Sequence, residues 1–208
     1  KEIKALRDGQ LPCHPDASIF VRHDEGRLDT WRAILTGPVD TPYALGLFLF
    51  DLYCPPEYPS ISPLVHFETT NGGTVKFNPN LYADGKVCLS LLGTFTGTDK
   101  TQKWDPDVSS LYQVLLSIQS QILAPHPLAN EPGYENLTSL PTWKKQSADY
   151  NAKLRLYTMR YAMLAPLRQP PCGFEEVVKL HFGQQRDRIL QQCWAWTRES
   201  PPELREKT

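Results

Sequence analysis

The sequence predicts an α+β fold: a four-stranded antiparallel sheet packed by helices, with a C-terminal two-helix extension. Three observations predict it. Four short runs rich in aromatic and β-branched residues follow one another at hairpin distances between residues 18 and 67. One stretch, Ser109 to Leu123, carries apolar residues at helical spacing. Two further helical stretches occupy the chain after Leu140.

The elements follow in order. Glu2 to Leu6 is a short helical segment, stopped by Gly9, Leu11-Pro12 and Pro15, and it reads as the end of a longer helix. Ser18 to Arg22 is the first strand. Asp29 to Leu35 alternates through Trp31, Ala33 and Leu35 and is the second. Gly37-Pro38 and Thr41-Pro42 break the chain before Gly46 to Tyr53, the central strand, which Pro55-Pro56 ends. Leu64 to Phe67 is the fourth. The meander needs a cover for its apolar face, and Leu111, Val114, Leu115, Ile118 and Ile122 supply one helical stripe. Ser109 or Ser110 can cap that helix, and Pro125 and Pro127 end it. Residues 68 to 108 read as largely irregular, with turns at Asn71-Gly72-Gly73 and Asp84-Gly85 and a small strand over Thr74 to Phe77. Thr142 to Leu164 is a helix interrupted by Pro166, Pro170 and Pro171. Phe174 to Thr197 is another, with Val177, Leu180, His181, Gln184, Ile189, Cys193 and Trp196 toward one face. Trp194 and Trp196 are two apart on it and cannot face the same way, so one is expected at the surface. Residues 1–139 form the core and 140–208 the helices packed on it or extending it.

Composition excludes several classes. The chain has 208 residues, 40% hydrophobic and 22% charged, with formal charge -1. No polybasic surface points to nucleic acid. No apolar stretch has the length of a bilayer span, and Lys1 to Leu11 is no signal peptide, so no membrane partner is expected. The cysteines, at 13, 54, 88, 172 and 193, are odd in number and widely spaced. They contain no CxxC or CxxH for zinc and no disulfide framework, which predicts a reducing compartment, the cytoplasm or also the nucleus.

The chemistry is expected at Cys88. It follows an Asn78-Pro79-Asn80 turn and sits between Val87 and Leu89, which can anchor its backbone while the thiol points out. No general base adjoins it in sequence, which argues against a hydrolase. In acyl transfer to an amine the thiolate is the leaving group, and a donor to the oxyanion suffices. Asn80 is the candidate donor. Its amide either faces the tetrahedral intermediate or braces the loop through backbone hydrogen bonds. Pro79 fixes the turn in either case.

Tyr58-Pro59, Pro63, Asn80, Cys88-Leu89, Trp104 with Pro106, and Val114 through Ser120 together resemble the ubiquitin-conjugating (E2) enzyme family over roughly residues 1 to 135. The resemblance implies the E2 fold and a thioester enzyme. Cys88 would accept ubiquitin from an E1 activating enzyme, and the acyl group would pass to a lysine of a protein substrate, with Asn80 on the oxyanion side. It implies no cofactor, since the partner E1 uses the ATP. It also assigns Asn78, Pro79 and Trp104 to support of the active-site loop.

The sequence departs from the common family pattern. The usual His-Pro-Asn reads Asn78-Pro79-Asn80, and the loop from Gly93 to Lys103 is long. The segment after the main helix reads His126-Pro127-Leu128-Ala129-Asn130, without the acidic residue that helps orient the acceptor lysine. Glu131 or Asp84 could substitute, and His126 either approaches the cleft or is a surface loop residue. Ser60 stands where an aromatic for RING-type ligases is common. Phe77 to Tyr82, Gly85 to Cys88, Leu91 to Thr94 and Asn130 to Tyr134 resemble the large hybrid E2/E3 enzymes, including the giant inhibitor-of-apoptosis protein with a C-terminal E2 domain. Further domains of the same parent chain are then expected partners. The alternatives are an E2 for a second ubiquitin-like modifier and a non-catalytic module that binds ubiquitin or a partner E2. A plain structural adaptor, with the C-terminal helices as its surface, is a further rival.

Overall fold

The protein is described by a computed structural model covering residues 2–95, 103–131 and 140–205. Helix α1 (Glu2–Asp8) leads into strands β1 (Cys13–His14), β2 (Ala17–Asp24), β3 (Arg27–Thr36), β4 (Leu47–Tyr53) and β5 (Leu64–Phe67). These form one antiparallel sheet in the order β1-β2-β3-β4-β5. The four expected strands are present. The two-residue β1 is an addition, too short to carry a sequence signal. No strand forms over Thr74 to Phe77; among the described residues the segment between β5 and the next helix holds only isolated bridges and a 3₁₀ turn at Ser90–Leu92. Most of the long loop expected from Gly93 to Lys103 lies outside the described residues.

Helix α2 (Leu111–Ser117) continues through a π turn, Ile118–Ile122. Its start is capped by Ser110, whose backbone N–H donates to Gln113 Oε1 at 3.2 Å. Glu2 of α1 adds a carboxylate that accepts the Leu111 N–H at 2.8 Å. The buried stripe Leu111, Val114, Leu115, Ile118 and Ile122 is the one expected, and it packs on one face of the sheet with Ala33, Leu35, Phe48, Phe50, Leu52 and Phe67. Buried Gln119 lies in the π turn and donates to the Ser18 and Thr36 carbonyls, both at 3.1 Å, which joins α2 to β2 and β3.

The second face of the sheet is also covered. Helix α3 (Pro141–Tyr157) runs through a second π turn, Thr158–Leu164, into α4 (Ala165–Arg168). The sequence predicts a stop at Pro166, yet the helix passes it. In the π turn the Ala165 N–H bonds Arg160 O, five residues back, and this widening relieves the clash that a proline ring makes in an α-helix. The predicted helix over Phe174 to Thr197 is two helices, α5 (Glu175–Gln184) and α6 (Arg186–Glu199), divided at Gln185 just after the poor helix former Gly183. A short α7 (Pro202–Arg205) follows. Phe174, Val177, Val178, Phe182, Ile189 and Trp196 pack against Ile34, Leu45 and Leu47, with Phe20 and Leu49 beside them. The buried face of α5 is set by Val177, as expected, together with Val178 and Phe182, while Leu180 and Gln184 face solvent. Each large side chain buried this way contributes about 1.5–3 kcal/mol. Apolar cover on both faces explains why Leu47-Phe48-Leu49-Phe50 is continuously apolar rather than alternating. Among the described residues no helix is long and apolar enough to cross a membrane.

His181 on α5 donates from Nε2 to the Leu45 carbonyl at 2.9 Å. Burial lowers its pKa below the ordinary 6.5, because the charged ring would lose its water, and the hydrogen bond to Leu45 only partly opposes this. The fold thus prefers the neutral ring. Its stabilisation is full above the unfolded-state value and is lost as pH falls through the folded-state value. Thermal melts should show Tm falling as pH drops below about 6.5. His181→Gln should flatten that part of the profile.

Candidate active site

The chain turns at Asn78-Pro79-Asn80 because a buried side chain holds it there. Asn78 is fully buried. Its Nδ2 donates to Tyr43 Oη at 2.9 Å and to the Ile122 carbonyl at 2.8 Å. Its Oδ1 accepts the Asn80 N–H at 2.9 Å and Asn130 Nδ2 at 3.3 Å. Tyr43 Oη in turn donates to the Phe77 carbonyl at 3.0 Å, and burial pushes its pKa well above the ordinary phenol value. Pro79 is buried in the same turn. One amide therefore ties the turn to the end of α2, to the loop before β4 and to the segment after α2.

Cys88 lies eight residues further on. Its backbone N–H donates to the Asn80 carbonyl at 2.9 Å, so the turn and the thiol are a fixed unit. Val87 and Leu89 are buried on either side, as their sequence positions predict. Thr94 adds a clamp that straddles the cysteine: its hydroxyl donates to the Val87 carbonyl at 2.7 Å and accepts the Leu89 N–H at 3.0 Å. The expectation that the thiol projects freely is corrected. Cys88 is 7% exposed, recessed between its two apolar anchors. The five thiols differ in surroundings. Burial, with Glu2 and Asp29 nearby, pushes Cys54 up to about 11, and burial also raises Cys193. Cys13 and Cys172 are exposed.

Asn80 is half-buried, and among the described residues its side-chain amide has no hydrogen-bond partner. Asn78 braces the loop in its place. Tyr82 is the residue that sequence reasoning passed over. It sits in the hairpin that carries the cysteine: its N–H donates to the Lys86 carbonyl at 3.0 Å, and Leu81 beside it bridges Val87. Its pKa is raised, first by desolvation and then by the charges of Cys88 and Glu131. The Lys76 ammonium sits 4.3 Å from its ring centroid and Lys86 5.7 Å, and these contacts hold the ring. The available signal was an aromatic two residues past Asn80 with lysines on both sides.

The other expected residues separate. Glu131 is half-buried, and its charge acts on both Tyr82 and the half-buried Tyr150. Asp84 folds back on its own turn, Oδ1 accepting the Lys86 N–H at 3.1 Å. His126 packs edge-on to Trp143, ring centroids 5.8 Å apart, in a groove with Asn151 and Arg155. None of its contacts reaches Cys88. Trp104 donates from Nε1 to the Pro59 carbonyl at 2.7 Å and lies 5.6 Å from the Tyr58 ring, so it fastens the proline-rich loop. Among the described residues no histidine or carboxylate hydrogen-bonds Cys88.

Comparison with known proteins follows the same line. The family model described as ubiquitin-conjugating enzyme matches residues 1–158. The dual E2 ubiquitin-conjugating enzyme/E3 ubiquitin-protein ligase BIRC6 of Homo sapiens is 50% identical over 186 residues, 89% of this chain. Probable ubiquitin-conjugating enzyme E2 R521 of Acanthamoeba polyphaga mimivirus is 44% identical over 191 residues, 92% of the chain. Probable ubiquitin-conjugating enzyme protein 17 of Caenorhabditis elegans is 43% identical over 196 residues, 94% of the chain. The matched segment is 4%, 13% and 26% of the length of these three relatives, respectively.

Asn78→Ala would leave the Tyr43 hydroxyl, the Ile122 carbonyl and the Asn80 N–H without their partner. Denaturant unfolding should show a loss of about 3 kcal/mol.

Proposed function

The chain belongs to the ubiquitin-conjugating enzyme family, and from that premise we propose that it accepts ubiquitin from an E1 enzyme as a thioester on Cys88 and passes it to a lysine. The observation that carries this reading is the division of labour between two asparagines. Asn78 uses both donors and both lone pairs on the scaffold, while the Asn80 amide, on the residue whose carbonyl holds the Cys88 N–H, has no partner among the described residues.

Two acyl transfers follow. In the first, the Cys88 sulfur adds to the carbonyl carbon of the E1-bound thioester, a carbon–sulfur bond to Cys88 forms, and the one to E1 breaks. In the second, a lysine amine adds to the same carbonyl carbon. The oxyanion then formed accepts from the Asn80 amide, and its collapse expels the Cys88 thiolate and leaves an isopeptide bond, with a proton released from the amine. No base beside the thiol is required, because the amine is the nucleophile and sulfur a good leaving group. Tyr82 shares the cysteine's hairpin, and Glu131, whose charge acts on its phenol, is the carboxylate that would attract and orient an ammonium before it loses its proton.

The chain serves as the E2 part of a longer protein whose other domains choose the substrate and carry ligase activity. The naming of BIRC6 as both E2 and E3, and the small share of that relative covered by this chain, support this. We place that protein in the cytoplasm, where thiols stay reduced.

Incubation with E1, ATP and ubiquitin should give a reductant-sensitive adduct that Cys88→Ala abolishes. No adduct with any E1–modifier pair would refute the reading. Asn80→Ala should charge within about threefold of the parent, yet discharge to lysine about 10²-fold more slowly. Equal losses in both steps would assign Asn80 to the loop instead.

A further inference from the structure

His66 lies on β5, at the edge of the sheet, and it holds the turn that carries Tyr82. Its Nδ1 is 2.7 Å from Glu68 Oε1 and its Nε2 3.1 Å from the Asp84 carbonyl. The imidazole rests on Gly85: a Cβ there would stand 2.0 Å from Nε2, and Gly85 has a φ of +87°, so both space and backbone demand glycine. Main-chain bonds finish the joint. Phe67 N–H donates to the Gly85 carbonyl at 2.8 Å, and His66 bridges Lys86. Within the turn, Gly85 N–H donates to Tyr82 O at 3.1 Å and Tyr82 N–H to Lys86 O at 3.0 Å. The contacts run unbroken from His66 through Asp84 and Gly85 to Tyr82, and the same hairpin carries Cys88, with Leu81 bridging Val87 and the Cys88 N–H on the Asn80 carbonyl.

Both partners of the ring can only accept. A ring carrying both protons makes both bonds, and a neutral ring makes one. The surrounding charges are Glu68 just beyond β5, Asp51 opposite His66 on β4, and Asp84 and Lys86 in the turn. Asp51 is engaged by Arg32 of β3 at 2.7 and 3.0 Å. Glu68 is thus the carboxylate that His66 meets directly.

We propose that His66, seated between Glu68 and the Asp84 carbonyl on Gly85, is a positioning residue that sets Tyr82 at Cys88 for transfer to the amine. The inference rests on Cys88 being the thioester acceptor. It makes the sheet edge, and not only the residues around the sulfur, a determinant of discharge.

The test is single-turnover discharge of the preformed Cys88–ubiquitin thioester to free lysine, for the parent and for His66→Ala, His66→Gln, Tyr82→Phe and the double variant His66→Ala with Tyr82→Phe. His66→Ala should slow discharge about tenfold and leave charging by E1 within about twofold. His66→Gln, which keeps a donor for the Asp84 carbonyl, should recover to within about threefold of the parent. In the Tyr82→Phe background, the His66→Ala change should cost nothing further. An equal additional loss in that background, parallel losses in charging and discharge, or unchanged discharge in His66→Ala would each overturn the proposal. If the parent forms no thioester, the functional reading fails and a second arm decides this one. Iodoacetamide labelling of Cys88, followed by peptide mass spectrometry, should change about threefold in His66→Ala and not between Tyr82→Phe and the double variant. Unchanged labelling in His66→Ala would reject the link to Tyr82 without reference to ubiquitin.

Discussion

The four hydrogen bonds of the Asn78 side chain are the constraint on which the site depends. A primary amide has two N–H donors and two oxygen lone pairs, and here all four are used inside the protein. The partners come from separate parts of the chain: Tyr43 before β4, Ile122 at the end of the π turn, Asn80 in the turn itself, and Asn130 beyond α2. In a buried setting each such group would carry a desolvation penalty if left unpaired, so the arrangement is all-or-none. It also accounts for the asparagine where the family commonly has histidine. An imidazole offers two ring nitrogens and could serve only two of these four groups. The asparagine at 78 therefore acts on the scaffold of the turn.

A second constraint is the double cover of the sheet. One face is filled by α2 and the other, in part, by α5 and α6. The C-terminal cover stops short of the β5 side, and beyond it the same face turns polar, with Arg32, Asp51 and His66 in adjacent strands. This polar end is where the turn from Tyr82 to Lys86 docks. Its position follows from where the apolar cover ends, since an uncovered strand end keeps charged side chains that a covered one would have to desolvate. The same segregation separates the two tryptophans of α6. Trp196 is 3% exposed and lies in the second core, while Trp194, two residues earlier, is 67% exposed, as their spacing requires.

Much of this was legible in the sequence, for reasons that differ by element. β5 matches its expected limits because Pro59 and Pro63 close the loop just before a short strand-forming run, and α2 was legible from a single stripe of aliphatic residues. Both signals are local. The π turns were not legible: a shift from i→i+4 to i→i+5 bonding changes no residue type, so Pro166 read as a stop. The break at Gln185 has no strong local signal beyond Gly183. Within the site, Cys88 and Asn80 stood out because a rigid turn and a flanked thiol occur in one short run. Tyr82 and His66 did not. His66 meets Asp84 only because of strand register, across a separation of 18 residues. Asp84 illustrates the reverse limit. Its carboxylate lies close to the cysteine in sequence, but the preference of an aspartate before glycine for bonding its own backbone turned it inward.

The recessed thiol has a mechanistic consequence. Cys88 is held by backbone bonds on both sides, from the Asn80 carbonyl and through Val87 and Leu89 from Thr94, so the sulfur has little freedom to seek its partners. A hydrolase would place a base at such a sulfur to activate both it and water. Among the described residues no base hydrogen-bonds the sulfur, and the phenol of Tyr82 in the same hairpin has a raised pKa; a neutral phenol at neutral pH can donate a hydrogen bond but abstracts no proton. A donor stabilises a thiolate and so favours its departure; it does nothing to activate water. In the proposed reaction this favours transfer of the acyl group to an incoming amine over its hydrolysis, a selectivity that would arise from what surrounds the sulfur rather than from the sulfur itself.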